Sequence, residues 1–257
     1  MSALAALTLV SQIWAGLSAS DRPDETAASA ALDALPAAPA PSLHIGRPDH
    51  LASGRHLSRW TIVRARTVAR TEPVATSSPV ASLATATPDR TPNALTVLRT
   101  TTDAAGQLWV KVRLPVLPNG TVAWVRRHSL GAYQTVSTHL VVDRQRLRAT
   151  LHRNGRLVFT APVGVGTDSW PTPAGSFLIR SELTRYASAF YGPVAFGMSA
   201  RSAVLTDWPG GGFVGIHGTN EPRLIPGRIS HGCVRMRNSD ILRLAKLMPV
   251  GTPVTIR

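Results

Sequence analysis

Hydrophobic and polar positions alternate with a period of two residues through much of the chain after residue 59, which is the pattern of half-buried β-strands. Several short segments of this kind are rich in Val, Thr and Trp and are separated by Pro, Asn and Gly turns, as at 118–120. They lie at 60–70, 79–84, 94–100, 108–114 and 121–127. We therefore predict a small β-barrel module over residues 59–131.

A second group of strands follows over residues 137–257. Its first part, 139–166, contains two alternating strands joined by Asn154 and Gly155, a residue pair typical of a tight hairpin turn. Further strands are predicted at 175–183, 194–199, 213–218 and 253–257. The two groups together indicate a mainly β protein.

One helix is predicted within this second group. Asn238, Ser239 and Asp240 offer an N-cap, and apolar residues then recur at helical spacing over 241–248. Pro249 ends the pattern because it cannot continue a helix.

The first 58 residues differ from the rest in composition. Residues 1–20 form an apolar run that ends in small residues, as in a secretory signal, yet no Lys or Arg precedes it. Cleavage after export and retention as an N-terminal membrane anchor both stay open. Residues 21–58 are dominated by Ala, Pro and Ser, so we predict a disordered linker, either a tether or a remnant of export.

The net charge of +14 raises the question of an acidic partner. Nearly all the cations are Arg, with Lys only at Lys111 and Lys246, and they are scattered along the chain. No zinc-finger, basic-helix or aromatic RNA-binding motif accompanies them, so nucleic acid is not an expected partner. A solvated Arg-rich surface or an acidic cell-wall polymer explains the charge instead.

The candidate chemistry is concentrated between residues 216 and 237. Cys233 is the only cysteine of the chain, and His217 precedes it by sixteen residues. A thiol is nucleophilic as its thiolate, and a neighbouring imidazole is the usual means of removing its proton. Either residue alone is more often structural, but a cysteine chosen for burial has no need of Ser230, His231 and Gly232 directly before it.

These residues resemble the signature of the L,D-transpeptidases, the YkuD-type cysteine enzymes that cross-link bacterial peptidoglycan. The similarity rests on His-Gly-Thr at 217–219 and Ser-His-Gly-Cys-Val-Arg at 230–235, and it extends through 163–179 and 189–199. It covers about residues 137–257. Ahead of it, residues 108–125 resemble a bacterial SH3-like module, in which Trp109 and Trp124 would stack on a ligand or, as we favour, pack in the core.

The resemblance implies a role for each residue of the motif. Cys233 is the expected nucleophile and His217 its base, oriented by the backbone carbonyl of Gly218. Ser230, His231 and Gly232 shape the turn, and the N–H groups of Gly232 and Cys233 form the expected oxyanion hole. Arg235 is expected to clamp a substrate carboxylate or carbonyl; the alternative is a surface arginine paired with Asp240.

The same resemblance implies the reaction. The thiolate would attack the third residue of a peptidoglycan stem tetrapeptide, release the terminal D-alanine, and pass the acyl group to a neighbouring amine to form a 3→3 cross-link. No cofactor or metal is expected, since the histidine spacing does not match common zinc motifs. The expected location is the cell envelope, secreted or membrane-anchored. A hydrolase acting on the same peptides and a non-catalytic wall-binding protein stay open as alternatives.

Overall fold

A computed structural model describes residues 56–88, 90–184, 189–206 and 212–257. The predicted signal segment and all but the last residues of the predicted linker lie outside these ranges. Within them, no helix has the length and apolar character needed to cross a bilayer.

The N-terminal part of the described chain is a seven-stranded antiparallel sheet in the order β3-β2-β6-β5-β4-β1-β7. Its strands are β1 (Ser58–Ile62), β2 (Thr67–Arg70), β3 (Pro79–Leu83), β4 (Ala94–Thr102), β5 (Leu108–Arg113), β6 (Val122–Arg126) and β7 (Gln134–Val136). Each predicted segment forms a strand, except that 60–70 divides into β1 and β2. The sheet packs around its own apolar core, which includes Leu95, Val110 and Val125. Its assignment to the SH3-like class stays a prediction.

Trp109 and Trp124 belong to the interior of this sheet. Trp109 is 1% exposed and its indole N–H donates to Asp103 at 2.8 Å, while Trp124 is 7% exposed. Core packing, the role favoured from the sequence, is therefore confirmed over ligand stacking.

The C-terminal part is a ten-stranded mixed sheet in the order β10-β9-β8-β17-β12-β13-β14-β16-β11-β15. Its strands are β8 (Thr138–Asp143), β9 (Arg148–Arg153), β10 (Arg156–Pro162), β11 (Gly164–Gly166), β12 (Gly175–Leu183), β13 (Ala195–Arg201), β14 (Phe213–His217), β15 (Gly227–Ser230), β16 (Val234–Arg235) and β17 (Pro253–Ile256). The predicted turn is confirmed, because β9 and β10 pair across Asn154 and Gly155, both of which have positive φ. The two strands predicted over 139–166 are wrong in number, since the first divides into β8 and β9 and the second into β10 and β11. The protein is mainly β.

The single α-helix of the described chain, α1 (Asn238–Ala245), starts and ends earlier than predicted. Asn238 is its first residue rather than its cap; the capping position is occupied by Arg237, whose side chain makes no capping hydrogen bond. Ile241 and Leu244 are fully buried against the larger core. The apolar spacing thus identified the buried face of α1 correctly, while the polar residues before it misplaced its first turn.

The two sheets are in direct contact. The ring of Trp60 in β1 lies against the backbone of Gly251, so closely that a Cβ at that position would fall 2.0 Å from the indole nitrogen. Gly251 also has φ +90°, which other residues rarely adopt. Replacing this glycine would therefore disturb both the turn and the contact between the sheets.

Candidate active site

Cys233 and His217 line one cavity of about 280 Å³ on the C-terminal sheet. Adjacent parallel strands bring them together: β14 pairs with β16 at Ile216↔Val234 and His217↔Arg235. Cys233 is thereby placed beside Gly215, whose backbone N–H donates to its Sγ at 3.4 Å. The sixteen-residue spacing in the sequence thus becomes a step between neighbouring parallel strands, with Cys233 beside Gly215 and His217 two residues further along β14.

His217 is held in one tautomer by its own chain. Its side chain is 2% exposed, and Nδ1 lies 2.6 Å from the carbonyl oxygen of Gly218, so Nδ1 carries the hydrogen and Nε2 is left to accept a proton. Tyr191 packs edge-on against the imidazole at 4.8 Å between ring centroids. The Gly218 carbonyl, expected from the sequence to be the hydrogen-bond partner of His217, is in contact with its Nδ1.

The imidazole is neutral at physiological pH. Burial lowers the pKa of His217 to about 4, the bond to Gly218 opposes this shift, and the nearby Arg235 charge adds to it. A neutral imidazole is the form that can take a proton from a thiol.

The Cys233 side chain is a protonated thiol at rest. Burial raises the pKa of Cys233, although the Gly215 N–H and the Arg235 charge both act to lower it. The pair is therefore a thiol beside a neutral imidazole rather than a preformed thiolate–imidazolium ion pair.

Ser230 ties the turn that presents Cys233. Its buried hydroxyl donates to the Cys233 carbonyl at 2.5 Å and accepts the Gly232 N–H at 3.1 Å. Gly232 has φ +113°, a conformation that requires glycine in practice. Since Ser230 engages the Gly232 N–H, that group can serve an oxyanion only by exchanging this hydrogen bond.

His231 lies on the outer side of the same turn. It is exposed and its ring packs on Trp170 with centroids 4.3 Å apart. Trp170 belongs to the loop after β11, and that loop is bound to the turn because Thr167 N–H donates to the Ser230 carbonyl at 3.0 Å. His231 thus lines the cavity with its ring against Trp170, and it is exposed whereas His217 is buried.

Arg235 is a buried cation at the cavity wall. Its side chain is 6% exposed, pairs with Glu221 at 3.2 Å, and lies over the Phe190 ring at 4.5 Å. The alternative drawn from the sequence, a surface arginine paired with Asp240, is wrong, because Asp240 pairs with Arg243 on α1 instead. The guanidinium therefore places a positive charge at the wall of the cavity, where Glu221 and Phe190 hold it.

Known proteins are similar to the part of the chain that contains this cavity. The YkuD family, described as an L,D-transpeptidase catalytic domain, matches residues 137–256. The L,D-transpeptidase-family protein YkuD of Bacillus subtilis is 34% identical over 122 residues, which are 48% of this chain and 67% of that protein. The chain belongs to the L,D-transpeptidase (YkuD) family.

Other members are similar over shorter or more divergent stretches. The Escherichia coli family member YbiS is 59% identical over 39 residues, covering 15% of this chain and 13% of that protein. A solved catalytic domain of an Enterococcus faecium L,D-transpeptidase is 25% identical, covers 47% of this chain and 96% of that one, and superposes with a TM-score of 0.36.

Asn238 contacts the backbone next to His217, a role that the sequence analysis did not identify. Its Oδ1 accepts the Thr219 N–H at 2.9 Å and lies so close to Gly192 and Gly218 that a Cβ on either glycine would be 2.3 Å or 2.4 Å from it. It thereby fixes the backbone that follows His217. Gly192 and Gly218 indicate from the sequence that another group approaches the backbone closely at these positions. The sequence does not indicate that this group is the Asn238 side chain.

No cluster of three or more potential metal ligands occurs in the part of the chain that the structure describes.

Proposed function

We propose that this protein is a peptidoglycan L,D-transpeptidase that forms 3→3 cross-links through a thioester on Cys233. The observation that supports this most directly is the His217 arrangement: its Nδ1 is bound by the Gly218 carbonyl, which leaves Nε2 as a base in the cavity that also contains Cys233. A buried, oriented, neutral imidazole beside a thiol has the properties required of a general base.

In the proposed acylation, His217 Nε2 takes the thiol proton while Sγ bonds to the carbonyl carbon of the third stem residue. The tetrahedral intermediate then collapses, the bond to the D-alanine nitrogen breaks, and His217 returns the proton to the departing amine. Because burial lowers the pKa of His217 to about 4, its protonated form is a strong acid and gives the proton up readily. The products are free D-alanine and the thioester.

The second half-reaction transfers the acyl group. An amine on a neighbouring stem attacks the thioester carbonyl, its excess proton passes to His217, and the C–S bond breaks to regenerate the Cys233 thiol. Atoms and charges balance without any added reagent. If water replaces the amine, the same steps hydrolyse the stem peptide.

Arg235 is proposed to stabilise the negative charge that develops during these steps. Its charge acts to lower the pKa of Cys233, against the larger raising effect of burial, which supports a role close to the sulfur. The Cys233 N–H is the proposed oxyanion donor, joined by the Gly232 N–H once this group exchanges its bond to Ser230. Glu221 and Phe190 hold the guanidinium in place.

The remaining features of the proposal concern context. We propose that the protein acts in the cell envelope, that 59–131 is an SH3-like module, that 137–257 is the catalytic domain, and that acidic wall polymers are candidate surface partners. A non-catalytic wall-binding role is disfavoured, because such a role has no use for a buried imidazole poised beside a thiol.

The experiment is mass spectrometry of purified stem tetrapeptides incubated with the protein. We expect loss of D-alanine and a 3→3 dimer when an acceptor stem is present, and neither product with Cys233→Ala. Tripeptide without dimer, even at high acceptor concentration, would identify the hydrolase instead. No change in the tetrapeptide with folded protein would contradict both activities.

A further inference from the structure

A turn of the N-terminal sheet reaches the strand that borders the active-site cavity. Between β5 and β6, the Asn119 side chain donates through Nδ2 to the Arg201 carbonyl at 2.7 Å and accepts the Arg201 N–H through Oδ1 at 3.0 Å. The two residues are 82 positions apart in the sequence. One amide side chain thus satisfies both backbone groups of one residue, as a neighbouring peptide unit would.

Arg201 is the last residue of β13. The register between β12 and β13 runs from Leu183↔Ala195 to Ile179↔Met198 and so ends before Arg201. On the other side Arg201 is paired with Phe213 of β14. The Asn119 amide therefore completes the sheet at the point where β13 ends.

The chain directly after Arg201 forms part of the cavity wall. Ser202 donates its N–H to the Gly212 carbonyl at 2.8 Å, and its hydroxyl accepts the N–H of Leu205 at 2.9 Å. Ser202, Leu205, Gly212 and Phe213 all line the cavity that contains Cys233 and His217. The two hydrogen bonds from Asn119 thus anchor the start of this wall to the N-terminal sheet.

We propose that Asn119 is a positioning residue through which the N-terminal sheet sets the shape of the substrate cavity. The Asn119 side chain hydrogen-bonds to Arg201 and not to Cys233 or His217. Its effect therefore falls on stem-peptide binding rather than on proton transfer. The statement about substrate rests on the proposed function. The anchoring itself does not, which allows the two to be tested separately.

The chain offers a matched pair of variants. Asn119→Ala removes both bonds to Arg201. Thr121→Ala removes a bond within the same turn, from the Thr121 hydroxyl to the Pro118 carbonyl at 2.7 Å, and leaves the amide of Asn119 intact. A general weakening of the turn affects both variants, whereas loss of the anchor affects only the first.

Three readouts are compared in the full chain. For stem-tetrapeptide acylation we expect Asn119→Ala to raise KM roughly tenfold with kcat changed less than about twofold. Substrate binding must then order a wall that two hydrogen bonds hold in place in the wild type, at a cost on the order of one factor of ten in binding. Alkylation of Cys233 by iodoacetamide, a reagent too small to need the wall, should keep its rate and pH profile. Amide hydrogen exchange at Arg201 and Leu205 should accelerate.

The control variant Thr121→Ala should match the wild type in KM and in exchange at these two amides. Unchanged KM in Asn119→Ala, or an equal rise in both variants, would overturn the proposal. A changed alkylation rate would also overturn it, because the anchor would then act on the reacting pair. If the wild type does not turn over tetrapeptide, the proposed function fails while exchange at Arg201 and Leu205 still decides whether Asn119 anchors the wall.

Discussion

His217 connects burial, tautomer and reactivity in one side chain. Because its pKa is lowered to about 4, the neutral base is present throughout the neutral range and is lost only as the pH falls through that value. We expect kcat/KM for acylation to rise with pH through about 4 and then stay level to neutrality. A limb near 6.5 in the wild type would show that the imidazole is not held in its buried, neutral form.

The lowered pKa of His217 also makes the free energy of unfolding depend on pH. The unfolded chain binds a proton at His217 near pH 6.5, whereas the folded chain does so only near 4. Between these values the unfolded state holds more protons, so the free energy of unfolding decreases as the pH falls from 6.5 to 4, by roughly 3 kcal/mol from this residue. Urea denaturation of the wild type and of His217→Gln at pH 7 and pH 4 measures the contribution, and the variant should lose less stability on acidification.

His217 also has to be distinguished from His231, since the motif contains both. His217→Ala should slow acylation by about 10² to 10⁴, the usual worth of general-base help. His231→Ala removes an exposed ring that packs at a tilt against Trp170 and should leave the acylation rate within about tenfold. Single-turnover acylation rates of the two folded variants decide the assignment. A larger loss for His231→Ala would mean that the base has been misassigned.

At the scale of elements, α1 contributes a positioning contact to the site through its first residue. Asn238→Ala leaves the Thr219 N–H without its acceptor, at a cost of about 1–3 kcal/mol, and frees the backbone that orients His217. Asn238→Asp keeps an acceptor oxygen, so it should retain most of the stability and acylation rate. Thermal unfolding and acylation of both variants test this. Equal behaviour of the two would show that the acceptor is unimportant.

The elements also show how far the sequence can be interpreted alone. Alternation located most strands of both sheets, and Asn154-Gly155 fixed the turn between β9 and β10, because these signals act between residues close in sequence. The short strands β7, β15 and β16 were not predicted, because two to four residues are too few to show alternation. Asn238 was misassigned as a cap because its acceptor is used nineteen positions away. The ion-pair partner of Arg235 was mispredicted for the same reason: Asp240 is nearer in sequence, but Glu221 is nearer in space.

At the scale of the whole molecule, the two sheets are joined by contacts that no local pattern announces, such as Asn119 with Arg201. A truncated chain starting near Val136 should still fold and react with iodoacetamide, since Cys233, His217 and Arg235 all lie beyond that point. It should acylate more slowly with tetrapeptide at low substrate concentration because the wall has lost its anchor. Circular dichroism, the rate of alkylation by iodoacetamide and the rate of acylation by tetrapeptide measure this. An unfolded product would show that the N-terminal sheet is an integral part of the catalytic domain.

The central claim is that Cys233 forms a covalent acyl intermediate. A β-lactam that mimics the acyl donor should therefore acylate it, and the family resemblance implies that carbapenems react better than penicillins. Because Cys233 is the only thiol of the chain, the adduct has one expected site. Intact-mass measurement after incubation with a carbapenem should show one added drug mass, and peptide mapping should place it on the fragment containing 230–235. No adduct on folded protein at neutral pH, or an adduct that persists in Cys233→Ala, would contradict the account.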